Sequence, residues 1–310
     1  MTIKIISGHS IFNENAIVLS NKFGWKLESD FNPKKGDLYV VLGGHELAYQ
    51  LLECQYRLNS TFGYIILNSE QIHSRFFRNK YYISLMKRNV VCDYNTITAN
   101  YLKKTHDIKV LSYFYFEFIK FNNQANKEYD ITFIGSKNPY REELLNEIQA
   151  EFKDLKFYID LDWTHNSSDS LTAILHKSRV VLNIGYYDKE RPLETHRINK
   201  ALSCECDVVS TLSHDDDANE FYKDYCYMTD DIKATLREYF NDQLDKKKPY
   251  EELIKQLSHK FNPHFGFIVT HVKKKLLSIN NLDESSTEIV VKQTATDTTN
   301  SSDKEEKKQS

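Results

Sequence analysis

The sequence predicts an α/β protein of two Rossmann-like, doubly wound domains facing a central cleft. Three observations predict it. Apolar runs of strand length alternate with helix-period segments over residues 1–121. The alternation stops at a polar break, NNQAN at 122–126, and then begins again. Gly, Ser, Asn and Asp follow the ends of the apolar runs, where parallel strands hand over to helices. The chain has 310 residues, 40% hydrophobic and 13% aromatic, enough for two cores. Only 9 Gly and 5 Pro argue against a loop-rich or fibrous protein.

In order, Ile3–Ser7 reads as a strand, Ile11–Leu19 as a helix and Asp37–Leu42 as a strand. Gly43, Gly44, His45 and Glu46 then turn into a helix over Leu47–Leu58. Tyr64–Leu67 is a strand followed by Asn68-Ser69-Glu70-Gln71, and Phe76–Met86 has helical period. Asn89–Asp93, Asn95–Lys104 and Val110–Tyr115 read as strand, helix and strand. After the break, Tyr129–Ile134 is a strand ended by Gly135 and Ser136. Pro139 suits the first turn of a helix over Tyr140–Phe152. Leu155–Ile159, Val180–Ile184 and Asp207–Ser210 are strands; Ser168–Ser178, Glu194–Leu202, Ala218–Asp224 and Ile232–Asn241 are helices. Amphipathic helices follow at Pro249–Lys260 and Phe265–Leu277. The expected domains are 1–121 and 128–248, followed by C-terminal helices over 249–281 and a disordered polar tail over 282–310.

A formal net charge of -3 supplies no basic field, so no nucleic-acid partner is expected. The start, MTIKIISGHSIF, is too short and too polar for a signal peptide, and no apolar run reaches bilayer length. Cys54, Cys92, Cys204, Cys206 and Cys226 follow no disulfide or zinc spacing, which fits reduced thiols. A cytoplasmic protein without a transmembrane segment is expected. No GxxxxGK[ST], GxGxxG or GxSxG motif occurs, against kinase, dehydrogenase and hydrolase readings.

The richest stretch is Val180–Ser210, where a polar loop between two apolar strands carries Glu194, His196, Arg197 and Lys200. The stretches Tyr64–Gln71, Val91–Asn95, Asp130–Ser136, Val181–Tyr187 and Leu193–Leu202 occur in order. This series resembles GT-B-type glycosyltransferases of large DNA viruses and microbes, related to the spore-maturation CgeB-like proteins. The resemblance covers residues 60 to 230 and is most specific over 181–202. It implies transfer of a sugar from a nucleotide-sugar donor to a glycan or other hydroxyl acceptor, in the host cytoplasm if the chain is viral. The donor would be a co-substrate, with no cofactor and no metal. The resemblance places Gly135 and Ser136 at the donor phosphates, Arg197 at the diphosphate and Glu194 at the motif's start. Related sequences often carry a ribose-binding glutamate where this chain has Lys200, and lysine accepts no hydrogen bond.

Arg197 and Lys200 are three apart, so one helix face can present both to a leaving diphosphate; a solvated basic face is the plainer alternative. An inverting reaction needs a base at the acceptor hydroxyl, and His9, His45, Glu46 and Glu70 follow predicted strands; Glu70 has orienting the acceptor or the interdomain hinge as its alternative, and a retaining reaction needs no such base. A structural turn role is the alternative for both histidines. Asp160-Leu161-Asp162 has the form of a metal-binding DxD motif, the basis of a rival GT-A-type reading. Asp215-Asp216-Asp217 reads as a helix start, or as a contact to a donor sugar. The rings of Tyr113-Phe-Tyr-Phe-Glu-Phe118 fit a packed strand at the domain junction, or a sugar platform. A non-catalytic sugar- or nucleotide-binding module is the third reading, kept alive by Lys200.

Overall fold

The computed structural model describes residues 2–32, 34, 36–57, 63–121, 126–165, 167–187, 190–263, 265–272 and 274. The expected tail at 282–310, the end of the last expected helix and most of the 122–126 break lie outside the described residues.

The first sheet is built from β1 (Ile3–Ser7), α1 (Asn13–Phe23), β2 (Lys26–Leu27), β3 (Leu38–Leu42), α2 (Ala48–Arg57), β4 (Gly63–Asn68), α3 (Lys80–Arg88), β5 (Val90–Asp93), α4 (Thr96–His106) and β6 (Val110–Tyr113). Its strands run parallel in the order β2-β1-β3-β4-β5-β6. β3 and β4 read LYVVL and GYIILN and are buried at every position, as central strands covered on both faces must be. Asn79 and Asn95 accept amide bonds at the starts of α3 and α4, satisfying donors the helices leave open.

The second sheet comprises β7 (Tyr129–Ile134), α5 (Pro139–Glu151), β8 (Phe157–Asp160), α6 (Ser168–Leu175), β9 (Ser178–Asn183), α7 (Thr195–Ser203), β10 (Asp207–Thr211), α8 (Asp216–Tyr222), β11 (Tyr227–Thr229) and α9 (Ile232–Phe240). It is also parallel, in the order β11-β10-β9-β7-β8. Residues 250–263 and 265–272 are helical. The protein is therefore an α/β fold of two parallel sheets. Among the described residues no helix is long and apolar enough to cross a membrane.

In each sheet the winding direction reverses once, between β1 and β3 and between β7 and β9. Ligands of doubly wound sheets bind outside the carboxyl ends of the strands at such points. Each sheet packs one face against its own core. Tyr39, Val41, Ile66 and Tyr82 belong to one outer cluster, and Ile131, Phe133, Leu182 and Val209 to the other. The remaining faces share a single core that runs from Ile5 and Val40 through Phe114, Phe116 and Phe118 to Val181 and Ile198.

Hydrogen bonds join the sheets along the same path. Asn15 Nδ2 donates to the Glu117 carbonyl at 2.9 Å, and Asn199 Nδ2 to the Phe116 carbonyl at 2.7 Å. Tyr250 Oη accepts from the Phe118 amide at 2.7 Å. Thr96 Oγ1 at the start of α4 donates to Asp215 Oδ2 at 2.6 Å. The helices at 250–272 return to the first domain, where Phe265 meets Phe23 and Trp25. The aromatic run leaves the sheet after Tyr113, and Phe114, Phe116 and Phe118 alternate inward as an extended connection.

Candidate active site

A cavity of about 820 Å³ opens between the carboxyl edges of the two sheets. The loops after β4, β7, β8 and β9 line it, with the start of α7.

On the second-domain wall the carboxylate of Glu194 is the organising group. Its Oε1 accepts from Arg141 Nη2 at 2.8 Å and from the Tyr186 amide at 3.1 Å. Its Oε2 lies 2.6 Å from Arg197 Nη1. Burial would push this carboxyl up, but the Arg197 and Arg141 guanidiniums overcome that and hold it below the usual carboxylate range. Arg141 is 1% exposed, and it also donates to the Ile184 and Ser136 carbonyls. Burial draws its guanidinium down to about 10, so it stays charged at neutral pH. Arg197 donates from Nη1 to Asn183 Oδ1 at 2.9 Å. The start of α5 is tied to the same loop, because Asn138 caps the helix through the Arg141 amide and donates to the Tyr186 carbonyl.

Gly135 sits beneath both guanidiniums. A Cβ built there would lie 2.8 Å from Arg197 Nη2 and 3.2 Å from Arg141 Nη1, so a side chain would displace them. Its amide donates to the Asp160 carbonyl at 2.9 Å. Gly135 therefore makes room for the arginines and has no N–H for a phosphate, unlike the expected role. Ser136 is exposed on the cavity wall, with amide and hydroxyl unpartnered among the described residues.

Lys200 is not at this wall, which corrects the expectation of a cation shared with Arg197. The two differ by about 60° around the helix axis. Lys200 points into the shared core, is 0% exposed, and donates from Nζ to Glu14 Oε2 at 2.5 Å. Glu14, on α1, also accepts from the Ile119 amide at 2.9 Å and from Ser168 Oγ. The Phe118 and Phe121 rings flank the ammonium. The lysine joins the two domains.

The other wall brings His9, His45 and Glu70 together at neighbouring strand ends. Glu70 alone of the three lines the cavity. Its carboxylate accepts from Ser74 Oγ at 2.6 Å, and its amide donates to Asn68 Oδ1. Burial raises its pKa above the ordinary carboxylate value. His45 lies behind it, Nδ1 3.2 Å from Glu70 Oε1 but out of line for a hydrogen bond. Burial lowers His45 to about 4, so its ring is neutral at pH 7. The Nδ1 of His9 accepts the Ile11 amide at 3.1 Å and caps the turn Ser10–Phe12. That lone pair is thus engaged, and the expected general-base role of His9 meets a structural one in its place.

Three further cavity features lay outside the expected set. Gln71 reaches Glu194 across the cleft and also Tyr94. Trp163, Tyr186 and Tyr187 supply apolar area, Trp163 with a left-handed φ of 56°. Arg75 and Arg78 face the cavity from the 3₁₀ turn Arg75–Arg78, on the Glu70 side. A basic-aromatic run, Arg75-Phe-Phe-Arg78, directly after the loop of β4 was the available signal.

The DxD pair does not converge. Asp160 accepts the amides of Asp162, Thr164 and His165 and the Thr164 hydroxyl, so its carboxylate shapes its own loop. Asp162 is exposed, and among the described residues no three His, Cys, Asp or Glu side chains gather as metal ligands. Asp215 caps α8 through the Ala218 amide.

The fold is similar to that of Anabaena HepE in its complex with UDP. The match covers 88% of this chain and 100% of that one, at 10% identity and a TM-score of 0.48. No family model and no curated protein matches the chain.

Proposed function

We propose that the protein is a GT-B-type glycosyltransferase that moves a sugar from a nucleotide-sugar donor to a hydroxyl acceptor. One observation carries the reading: a single cavity at both strand-end edges has a guanidinium on one wall and a carboxylate of raised pKa on the other. The likeness of residues 181–202 to CgeB-like transferases points the same way.

In this reading the donor diphosphate lies against Arg197 and the Ser136 amide, at the switch point of the second sheet. Glu194 and Arg141 keep Arg197 in place, so the donor meets a charge already oriented. Glu70 takes the acceptor's hydroxyl proton. The acceptor oxygen forms a bond to the anomeric carbon while that carbon's bond to the phosphate oxygen breaks. The electron pair leaves with the diphosphate, toward Arg197. Ser74 holds Glu70 in place through its hydroxyl. Trp163, Tyr186 and Tyr187 would keep water from the reacting centre. In this reading the guanidinium groups supply the counter-charge.

A thermal-shift screen with UDP, GDP, dTDP and their sugar conjugates tests the reading, since a ligand of the native state raises its apparent stability. At least one nucleotide should bind. Arg197→Ala should lower that affinity by about tenfold to a hundredfold, the loss of one or two charge-assisted bonds. Unchanged affinity in the variant, or no nucleotide binding by the native protein, would sink it.

A further inference from the structure

We propose that Arg75 and Arg78 bind an anionic group on the acceptor, so that the protein selects acidic sugars, such as phosphorylated sugars or uronates, over neutral ones. This rests on the transferase reading and names the acceptor class it leaves open.

The local geometry sets both cations on one line. In a 3₁₀ helix the side chains of residues i and i+3 eclipse, and Arg75 and Arg78 are the ends of one such turn. Both line the cavity. Among the described residues, neither guanidinium has a carboxylate within ion-pair distance or a hydrogen-bond acceptor, and Arg75 rests on the Phe76 ring. The arginines of the opposite wall, Arg141 and Arg197, both meet Glu194. Both arginines are exposed to solvent, so their donors are open to a ligand. An anion between them would meet both charges, and a guanidinium pair presents a fork of donors to phosphate or carboxylate.

The pair is also tied to the candidate base. Ser74 caps the 3₁₀ turn and donates to Glu70 Oε2 at 2.6 Å. The field of Arg75 reaches both Glu70 and His45. An anion held at Arg75 therefore lies beside the group that receives the hydroxyl proton, on the wall opposite Arg197. A sugar bearing its charge a few bonds from its reactive hydroxyl satisfies both. The ring of Phe76 gives its apolar face a surface.

The test uses glucose, glucose 6-phosphate and glucuronate as probes, titrated into the full chain with a saturating nucleotide and read by calorimetry. The charged sugars should bind roughly ten- to a hundredfold tighter than glucose, as one or two charge-assisted bonds imply. In Arg75→Gln/Arg78→Gln the preference should vanish while nucleotide affinity stays within twofold. Equal or undetectable binding of charged and neutral sugars would overturn the proposal. So would a preference that survives the double substitution, or a loss of nucleotide affinity in it, which would place the pair at the donor. Failure of the native protein to bind any nucleotide would defeat the transferase reading instead. The sugar preference, measured without nucleotide, would still be decided.

Discussion

On the second-domain wall of the cleft, each charge meets an opposite one within the wall. Glu194 meets two guanidiniums, and Arg141 also gives three hydrogen bonds to backbone carbonyls. On the first-domain wall, among the described residues, Glu70 meets only the neutral His45 within ion-pair distance, and Arg75 and Arg78 meet no anion. The first arrangement is rigid and already organised; its charges serve the fold before they serve a ligand. The second leaves its arginine donors open to solvent and to a ligand. A wall of the first kind suits a ligand part common to every turnover, and a wall of the second kind suits proton transfer and selection.

The largest effect expected from breaking this contrast is at Glu70. Glu70→Gln keeps the shape and removes the base, so turnover should fall by about 10²- to 10⁴-fold with donor affinity unchanged. The sign with pH follows from the ionised form being active. Native activity should drop as pH falls through an apparent pKa above the usual carboxylate value, and that acid limb should be absent from the variant's residual rate. A variant with full activity would assign the base elsewhere.

At the matched wall the effect is on stability. Glu194→Ala leaves two guanidiniums facing each other, one fully buried, and should destabilise by about 3–5 kcal/mol in urea unfolding. Glu70→Gln should move the same midpoint by less than about 1 kcal/mol. Comparable shifts at both positions would erase the difference between the walls.

Much of the fold was legible because parallel strands covered on both faces are continuous apolar runs. Ile3–Ser7 and Tyr129–Ile134 were read with the observed bounds. β2 escaped notice because it is two exposed residues at a sheet edge, and β11 because it is three residues without an apolar run. The site was legible in part. Strand-end position brought His9, His45 and Glu70 together, but it could not show that the His9 lone pair caps a turn. Helical spacing placed Arg197 and Lys200 near one another. It could not show that Glu14, 186 residues away, would draw Lys200 into the core. Arg75 and Arg78 line up only in a 3₁₀ turn, which the sequence pattern does not separate from an α-helix.

Lys200 sharpens the comparison, because it is a charge matched between domains. Lys200→Met leaves Glu14 buried without its cation and should cost about 3 kcal/mol. Glu14→Met/Lys200→Met should recover more than half of that, since an apolar pair removes the stranded charge. A double variant no better than the single one would show that Ser168 and Ile119, which also contact Glu14, matter more than the lysine.

The smallest effect is at His196, whose ring lies between Phe12, Phe116 and Phe118 beneath the cleft. Burial, with Lys200 and Arg197 nearby, lowers it to about 3 from an ordinary 6.5. Above pH 6.5 the ring is neutral in both folded and unfolded chains and contributes no slope. Between 6.5 and 3 the unfolded chain takes up a proton that the folded chain refuses, so stability is lost as pH falls. At pH 5 this amounts to at most about 2 kcal/mol. His196→Phe removes the titration. The variant should therefore gain stability relative to the native protein on going from pH 7.5 to pH 5. His45, lowered to about 4 by its own burial on the opposite wall, should leave a residual acid slope in the variant. Urea midpoints at the two pH values decide it: a difference between the proteins that is the same at both would remove His196 as a source of acid sensitivity.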